Sequence, residues 1–272
     1  MRSDKKERIL MSAPNFFMKR LIKTTCRRVG FDLVRCDVRP CSTRRPPVGY
    51  TGTVLEDIKA RGLKCTSILD VGANEGRWTR LVASIFPQAK YFMIEPLEEM
   101  KGRLTDICQC HPGSRVFTAG AGSTPGRLTF TLMGSDERLS GSSFIPKESK
   151  DLISQGKQRT VPVVTIDLLI DQGEMPIPEL VKLDVQGFEL EALRGASQLF
   201  GRTEVFILEV SFFPFMSATR AMFHDVINFM HERDYVTYDF CGFIRRSSDG
   251  ALAQADVCFT KTAGLLRRSS RW

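Results

Sequence analysis

The sequence predicts an α/β protein with a mostly parallel sheet that is covered by helices on both faces. Short apolar segments recur along the chain and alternate with amphipathic helical patterns, which is typical of parallel strands joined by helical connections. The first apolar segment runs directly into a glycine-rich turn and then into a helical pattern. The 272 residues and the 42% hydrophobic content are sufficient for one sizeable domain with appendages.

Seven segments have the length and the apolar character of buried strands. In chain order they are residues 67–71, 90–95, 115–120, 179–185, 204–210, 235–240 and 256–260. A first helix is predicted over 54–62, and further helical patterns lie at about 76–86, 97–109, 188–200 and 216–233. The last two strands are joined by a turn-rich stretch without a helix, so we expect an antiparallel hairpin whose C-terminal strand lies at the edge of the sheet.

Residues 121–178 form an insertion between the third and the fourth strand. The insertion contains two alternating segments, RLTFTLM and RTVPVVTIDLL, which are separated by the polar stretch SDERLSGSS. Alternation of apolar and polar residues is typical of half-buried strands. We therefore expect an inserted strand pair beside the carboxyl ends of the sheet strands.

The two ends of the chain are basic, whereas its body is mildly acidic. Residues 1–48 contain 13 Lys and Arg against 4 Asp and Glu, and the last twelve residues add four positive charges and no acid. Because the formal charge of the whole chain is +8, the remaining residues have a net charge of −5. This distribution predicts terminal arms that contact an anionic surface or are solvated, and it argues against a basic catalytic groove.

Residues 15–29, NFFMKRLIKTTCRRV, have the pattern of a short basic amphipathic helix. Such a helix can make peripheral contact with an anionic membrane or pack on its own domain, and the sequence leaves both alternatives open. A proline-rich linker follows it. We therefore predict three parts: a basic helix and linker over 1–50, the main domain over 51–262, and a basic tail over 263–272.

The eight cysteines are scattered, with no C-x-x-C pair and no histidine cluster that could complete a zinc site. A reduced, cytoplasmic setting is therefore predicted. The sequence has no run of about 18 apolar residues, so we expect no helix that spans a bilayer. Its longest apolar run before residue 50, FFM, is too short for a secretory signal.

The turn DVGANEG after the first strand predicts a cofactor site, because ligands of parallel sheets bind beyond the carboxyl ends of the strands. Gly72 and Gly76 allow a tight turn and the close approach of a ligand to the backbone. Asn74 lies between them and Asp70 precedes them, so the turn differs from the G-x-G-x-x-G of dinucleotide sites. A carboxylate here repels a pyrophosphate and attracts the ammonium and sulfonium groups of S-adenosylmethionine, which is the cofactor that we predict.

Glu95 ends the second strand, 23 residues after Gly72. A carboxylate at this place can bind the two hydroxyl groups of a ribose. NAD sites also have such a carboxylate, so Glu95 alone does not distinguish the two cofactors. A strand-end acid can instead cap the following helix, and this structural role remains open for both Asp70 and Glu95.

A second acidic motif, VKLDVQGFELEALRGA, covers residues 181–196. Lys182 and Asp184 end a predicted central strand and Glu209 ends the next one, so we expect all three side chains at one crevice as candidate catalytic residues. Methyl transfer to a hydroxyl group requires alignment, exclusion of water and removal of a proton. Asp184 is the candidate that accepts this proton or orients the acceptor. Alternatively, Asp184 could hold a divalent metal together with Glu209 or Glu189; Glu189 could also serve only the helix dipole.

The order and wording of these motifs resemble the FkbM family of S-adenosylmethionine-dependent methyltransferases. The resemblance rests on ILDVGANEG, MIEP, VTIDLL, KLDVQGFELEALRGA and ILEV, and it covers roughly residues 54–262. It implies the Rossmann-like, seven-stranded sheet of class I methyltransferases. It also implies O-methylation of a hydroxyl group on a sugar, glycolipid or polyketide-like acceptor, which is a small molecule or is linked to a glycan or lipid.

The resemblance also implies roles for individual residues. Asp184 would lie beside the transferred methyl group, and the insertion around SGSSF would receive part of the acceptor. The family often has an acid or an amide near the adenine after the third strand, whereas this chain reads AGAGSTPG and offers Ser123. The residues that would line the cofactor are Asp70, Gly72, Asn74, Gly76, Glu95 and Ser123.

Three alternative functions are disfavoured by particular residues. Asp70 and Asn74 argue against an NAD-dependent oxidoreductase, because the first repels a pyrophosphate and the second replaces a glycine. The basic ends suggest an RNA methyltransferase, but DVQG is not the D/N-P-P-aromatic run of amine methylation, so nucleic acid is not the expected partner. A module without turnover is disfavoured because all the acidic crevice positions are present.

Overall fold

The computed structural model of the protein describes residues 48–132, 142–144, 149–214 and 221–268. The helices α1 to α7 are Thr51–Ala60, Arg77–Ile85, Lys101–Cys110, Lys150–Ser154, Ile166–Asp171, Glu189–Arg194 and Phe223–His231. The strands β1 to β11 are Ser67–Val71, Lys90–Ile94, Arg115–Phe117, Gly120–Ala121, Gly126–Thr131, Ser143–Phe144, Gln158–Val164, Leu180–Leu183, Val205–Ser211, Tyr235–Arg245 and Leu252–Lys261. Short 3-10 turns lie at Glu98–Met100, Ser197–Leu199 and Leu265–Arg267.

The main sheet has seven strands in the order β3-β2-β1-β8-β9-β11-β10. β1 pairs in parallel with β2 and with β8, and the pairs β2/β3 and β8/β9 are parallel as well. Only β11 runs antiparallel to its two neighbours among these strands. The predicted Rossmann-like, seven-stranded, mostly parallel sheet is therefore confirmed.

The C-terminal hairpin lies at the edge of the main sheet as predicted, but its two strands are placed differently from the prediction. The antiparallel strand β11 lies between β9 and β10, so β10 is the edge strand. The connection through α7 places β10 one strand beyond β9, and the tight turn after β10 returns the chain into the gap between them. Both strands are also longer than predicted, because their pairing continues through three register irregularities.

Helices cover both faces of the main sheet, because alternate residues of each strand point to opposite sides. Ile68 of β1 belongs to an apolar cluster with side chains of α1, α2 and α3. Leu69 belongs to a second cluster with side chains of α5, α6 and α7. All five residues of β1 are buried, which agrees with the mostly apolar segment SILDV from which this strand was predicted.

The predicted helices are shortened or divided at identifiable residues. The pattern over 188–200 forms α6, which ends before Gly195, and a separate 3-10 turn. The segment RTVPVVTIDLL divides at Thr165, whose side chain accepts a hydrogen bond from the Leu168 backbone N–H at 3.0 Å and so caps α5. Part of the predicted helix over 216–233 lies outside the described residues, and its described part is α7.

The insertion forms a second sheet of four strands in the order β4-β7-β5-β6. β5 and β7 form the predicted strand pair and run antiparallel to each other, and β4 and β6 extend this pair on both sides. Phe130 of β5 and Val161 and Val163 of β7 belong to the same apolar cluster as Ile68. The second sheet is therefore anchored on the core of the main sheet.

Residues 46–272 form one compact unit, to which all described elements belong. The predicted basic helix over 15–29 and its linker lie outside the described residues, and the division into 1–50, 51–262 and 263–272 remains a prediction. Near the C-terminus, Leu265 and Leu266 pack against the apolar core. In the described part of the chain, no helix has both the length and the apolar composition that a membrane crossing requires.

Candidate functional site

The carboxyl ends of β1, β2 and β8 border a cavity of about 300 Å³. The turns after β1 and β2 and the loop after β8 form most of its wall, and the second sheet region contributes Phe130 and Ser142. Predicted site residues that line the cavity are Asp70, Gly72, Asn74, Glu95, Lys182 and Asp184. The three other predicted residues, Gly76, Ser123 and Glu209, are not part of its lining.

Gly72 brings the turn after β1 into direct contact with the loop after β8. Its φ angle is +81°, and a β-carbon at this position would lie 2.0 Å from the carbonyl oxygen of Asp184. The Asp184 backbone N–H also donates to the carbonyl oxygen of Val71 at 2.9 Å. Only glycine tolerates both this conformation and this close approach, so the two acidic motifs meet where the sequence predicted.

Asp70 is 2% exposed, and its two oxygens have different surroundings. Oδ2 accepts a hydrogen bond from Thr79 Oγ1 at 2.5 Å, whereas Oδ1 has no hydrogen-bond partner among the residues that the structure describes. Burial raises the pKa of Asp70 to about 6, against the lowering effects of Thr79 and Lys182. A buried oxygen without a partner is costly, and a ligand with an ammonium group would satisfy it.

Glu95 combines the two roles that the sequence left open. It lines the cavity, and it also accepts the backbone N–H of Asn74 on Oε2 at 2.7 Å and that of Leu97 on Oε1 at 2.9 Å. Burial raises the pKa of Glu95 to about 7, although both backbone donors lower it. Each carboxylate oxygen can accept a second hydrogen bond, so the residue can join the two turns and still bind ribose hydroxyl groups.

Lys182 and Asp184 form a buried ion pair at the cavity wall. Lys182 Nζ lies 2.9 Å from Asp184 Oδ2 and 3.5 Å from Oδ1 of Asp256 on β11. Burial alone would lower the pKa of Lys182, but the two carboxylates outweigh it and the pKa is raised. Burial would likewise raise the pKa of Asp184, but Lys182 outweighs it and the pKa is lowered. Both groups are therefore charged at neutral pH.

Glu209 lies behind Asp184 rather than at the cavity. Gln186 Nε2 donates to Asp184 Oδ1 and to Glu209 Oε2, both at 2.9 Å, and Gln254 Nε2 donates to Glu209 Oε2 at 3.0 Å. Burial raises the pKa of Glu209 well above its usual value, and the neighbouring carboxylate of Asp184 adds to this effect. Glu209 thus communicates with the cavity through Gln186 and Asp184.

Glu189 has a structural role in the same loop. Its Oε1 accepts the backbone N–H groups of Val185 and Gly187, each at 3.1 Å, and these bonds fix the turn between β8 and α6. Burial raises the pKa of Glu189 to about 7.

The hydrogen-bond donors around Asp184 are relevant to the alternative that this residue holds a divalent metal. Asp184 Oδ2 accepts from the Lys182 ammonium group and Oδ1 from Gln186, so an ammonium group already lies where a cation would bind. Among the described residues, no group of three or more His, Cys, Asp and Glu is arranged to hold a metal ion.

Gly76 and Ser123 make contacts outside the cavity. A β-carbon at Gly76 would lie 2.5 Å from Ile107 Cδ1 and 2.9 Å from Leu104 Cδ2, so this glycine permits α3 to pack against the start of α2. Ser123 Oγ donates to Glu191 Oε2 at 2.7 Å. Gly76 and Ser123 were predicted to line the cofactor, but neither residue is part of the cavity lining.

Sequence reasoning did not single out Thr79, Gln186, Trp78 or Asp256. Gln186 lies inside the quoted motif DVQG, and Thr79 follows the first turn by one helical turn, so both could have been found from their positions. Trp78 lines the cavity, and its Nε1 has no hydrogen-bond partner in the described ranges. Asp256 has no local signal, because only the pairing of β11 brings it near Lys182.

Comparison with known proteins gives one family match. A model of the methyltransferase FkbM domain matches residues 70–237. The hexuronic acid methyltransferase AglP of Haloferax volcanii is 28% identical over 142 residues, which cover 52% of this chain and 54% of that protein. The chain therefore spans about half the length of this curated relative.

Comparison with solved structures finds further methyltransferases. The methyltransferase FkbM of Methylobacillus flagellatus KT has a TM-score of 0.45 and 18% identity, over 71% of this chain and 43% of that one. The 1,6-didemethyltoxoflavin-N1-methyltransferase of Burkholderia thailandensis, solved with S-adenosylhomocysteine, has a TM-score of 0.42 and 11% identity, over 94% and 93% of the two chains.

Proposed function

Because the chain belongs to the FkbM family of methyltransferases, we propose that it transfers the methyl group of S-adenosylmethionine to a hydroxyl group of a sugar-containing acceptor. One observation carries the choice of cofactor: Asp70 places a buried carboxylate oxygen without a described partner at the cavity. A pyrophosphate would be repelled there, whereas an ammonium group supplies both a donor and a compensating charge.

The residues at the cavity fit the parts of this cofactor. Asp70 would hold the ammonium group, Glu95 the ribose hydroxyl groups, and Gly72 would allow close approach to the backbone. When bound, S-adenosylmethionine supplies a methyl group on a positively charged sulfur atom, which makes the methyl carbon electrophilic. The protein has to hold and align the two reactants and to exclude water.

Asp184 is the residue that would orient the acceptor. Lys182 and Gln186 fix its carboxylate. Its lowered pKa keeps it ionised, so that it can accept a hydrogen bond from a hydroxyl group, but makes it a weak base. Glu209 has a raised pKa and shares Gln186 with it, so the two carboxyl groups titrate as a pair. As the O–CH₃ bond forms and the C–S bond breaks, the hydroxyl group becomes strongly acidic, and its proton would pass to the ionised carboxylate of Asp184.

The relative AglP supports a sugar acceptor, since its name describes the methylation of a hexuronic acid. Phe130 and Ser142 of the inserted region border the cavity, so the insertion could shape the space for the acceptor. The proposed partner is therefore a free or lipid-linked glycan with an accessible hydroxyl group. The possible membrane contact through residues 15–29 lies outside the described residues.

Calorimetry with S-adenosylhomocysteine, S-adenosylmethionine and NAD tests the cofactor. We expect the two sulfur ligands to bind and NAD not to bind; binding of NAD alone would contradict the proposal. The acceptor is tested with methyl-labelled S-adenosylmethionine and oligosaccharides that contain either a hexuronic acid or the matching neutral hexose. Mass spectrometry should find one added methyl group. Cofactor binding without transfer to any sugar would refute the acceptor but not the cofactor.

A further inference from the structure

The ammonium group of Lys182 is buried at the cofactor cavity between two carboxylates. The side chain is 6% exposed, and its Nζ lies 2.9 Å from Asp184 Oδ2 and 3.5 Å from Asp256 Oδ1. A buried ammonium group is tolerated only where anionic groups lie close to it. Lys182 therefore depends on a carboxylate that lies outside the cavity lining, that of Asp256.

Asp256 reaches Lys182 across an intervening strand. β9 lies between β8 and β11, and Asp256 pairs with Glu209 on β9 and with Gly242 on β10. A β-carbon at Gly242 would lie 2.7 Å from Asp256 Oδ2, which is closer than real contacts allow. The absence of a side chain at Gly242 thus leaves the space that the Asp256 carboxylate occupies.

The positive charge of Lys182 affects how strongly the cavity binds the methyl donor relative to the demethylated product. S-adenosylmethionine and S-adenosylhomocysteine have the same amino-acid, ribose and adenine groups, but only the donor has a positive charge on sulfur. Because Lys182 lines the cavity, its positive charge disfavours a second cation there by Coulomb repulsion. Asp184 and Asp256 offset this repulsion.

We propose that Asp256 is a positioning residue that holds the Lys182 ammonium group and offsets its charge, so that the cavity accepts the sulfonium group of the methyl donor. Gly242 takes part by leaving room for the Asp256 carboxylate. This inference rests on the proposed cofactor, and it concerns how well the cavity distinguishes the donor from the demethylated product.

Calorimetry on the full chain measures the dissociation constants of S-adenosylmethionine and S-adenosylhomocysteine. Their ratio isolates the effect of the sulfonium charge. Asp256→Asn should weaken binding of the donor relative to the product by about threefold to tenfold, the size expected for one charge at intermediate distance. Lys182→Met should change the ratio in the opposite direction, because it removes the positive charge. A purely structural role would shift both ligands equally.

A double-mutant cycle tests the part of Gly242. Gly242→Ala should change the ligand ratio as Asp256→Asn does, because the new methyl group displaces the carboxylate. In an Asp256→Ala background, Gly242→Ala should have no further effect, since no carboxylate remains to be displaced. Gly102→Ala is the matched control: an added β-carbon there meets nothing within 4 Å, and the ratio should stay unchanged.

Equal shifts for both ligands in Asp256→Asn, or independent effects of Gly242→Ala and Asp256→Ala, would overturn the inference. The thermal unfolding midpoint of each variant separates a loss of folded protein from a change in binding. If Lys182→Met does not fold, the Asp256 and Gly242 variants still test the inference. If neither ligand binds the unmodified chain, the proposed function itself fails, which is a different result.

Discussion

Carboxyl groups of the same chemical type have different surroundings in and behind this cavity because their hydrogen-bond partners differ. Asp70 keeps one oxygen without a partner among the described residues, whereas Glu95 uses both oxygens on backbone N–H groups. Asp184 is held as an anion by Lys182. Glu209 is linked to the cavity through Gln186 and Asp184. At the scale of single residues, these partners thus give each carboxyl group a different hydrogen-bonding environment.

Asp70→Ala tests the binding role of the unpartnered carboxylate. We expect affinity for S-adenosylhomocysteine to fall by about tenfold to a hundredfold, the value of a hydrogen bond to a charged group. Thr79→Val is the matched variant, since it removes the hydrogen bond to Oδ2 but keeps the carboxylate, and it should lose less affinity. Calorimetry measures both. Unchanged affinity in Asp70→Ala would show that this carboxylate does not hold the cofactor.

Asp184→Asn tests the orienting role at the methyl acceptor. The amide keeps the shape of the side chain and can still accept from Lys182, so affinity for the product S-adenosylhomocysteine, whose sulfur atom is uncharged, should change by less than about threefold. Turnover should fall by about 10² to 10⁴, the usual contribution of a proton acceptor. Methyl transfer at saturating cofactor measures this effect. Normal turnover in the variant would mean that Asp184 is not catalytic.

At the scale of secondary-structure elements, a loop of the site is fixed by a buried carboxylate that accepts backbone hydrogen bonds. The inserted sheet is fixed by apolar contacts with the core of the main sheet. Glu189 holds the loop between β8 and α6 through two backbone N–H groups. Phe130 joins the inserted sheet to the core of the main sheet and also borders the cavity. The site therefore depends on elements whose stability can be tested separately from binding.

The raised pKa of Glu189 predicts a dependence of stability on pH. Below its ordinary value of 4.5 the carboxyl group is neutral in both the folded and the unfolded state; between there and about 7 it ionises only on unfolding. The free energy of unfolding therefore decreases as pH rises through this range, by up to about 3 kcal/mol. Glu189→Gln keeps the acceptor oxygen but not the charge.

Urea unfolding of this variant and of the unmodified chain at pH 5 and pH 8 measures the effect. The stability of Glu189→Gln relative to the unmodified chain should increase toward pH 8. Asp70 and Glu95 are present in both proteins, so their own titrations cancel to a first approximation. A difference that does not change with pH would contradict the assignment to Glu189.

Phe130→Ala should separate the inserted sheet from the core. Phe130 is 4% exposed, so truncation should lower the free energy of unfolding by about 3 to 5 kcal/mol. Leu128→Ala, two residues earlier on the same strand, is the matched control, because Leu128 is 40% exposed and should lose less than about 1 kcal/mol. Denaturant unfolding compares them; equal losses would mean that Phe130 is not the anchor.

At the scale of the whole molecule, segments far apart in the chain meet at one edge of the sheet. The turn after β1 and the loop after β8 touch at Gly72 and Asp184. β11 brings Asp256 close to the ammonium group of Lys182, which also pairs with Asp184. Contacts also extend past residue 262, where Leu265 and Leu266 pack on the core. Packing on the core therefore continues beyond the predicted boundary at residue 262.

Two truncations test the predicted boundary at residue 262. Removing residues 263–272 deletes Leu265 and Leu266 and should lower the free energy of unfolding by about 1 to 3 kcal/mol, as expected for two partly buried leucines. Removing only residues 269–272 keeps both leucines and should have a smaller effect. Thermal and urea unfolding compare the two. Equal effects would support a tail that begins at 263.

Local pattern alone was sufficient for much of the fold. Short, predominantly apolar segments predicted β1, β2, β8 and β9, because a strand that is buried on both faces needs apolar residues on both faces. The residues of the turn DVGANEG predicted that Gly72 allows a tight turn. At Gly72, φ is positive and the Asp184 carbonyl oxygen leaves no room for a side chain. The position of β11 inside the sheet has no such local signal.

The sequence by itself thus determined the chain order of the seven main-sheet strands, the FkbM family and the positions of Asp70, Glu95 and Asp184, since each depends on neighbouring residues along the chain. Only the tertiary structure decided that Glu209 lies behind Asp184, that Ser123 contacts Glu191, and that Asp256 holds Lys182. These contacts join residues 23 to 74 positions apart. Such pairs are set by strand order, register and packing, which local periodicity does not encode.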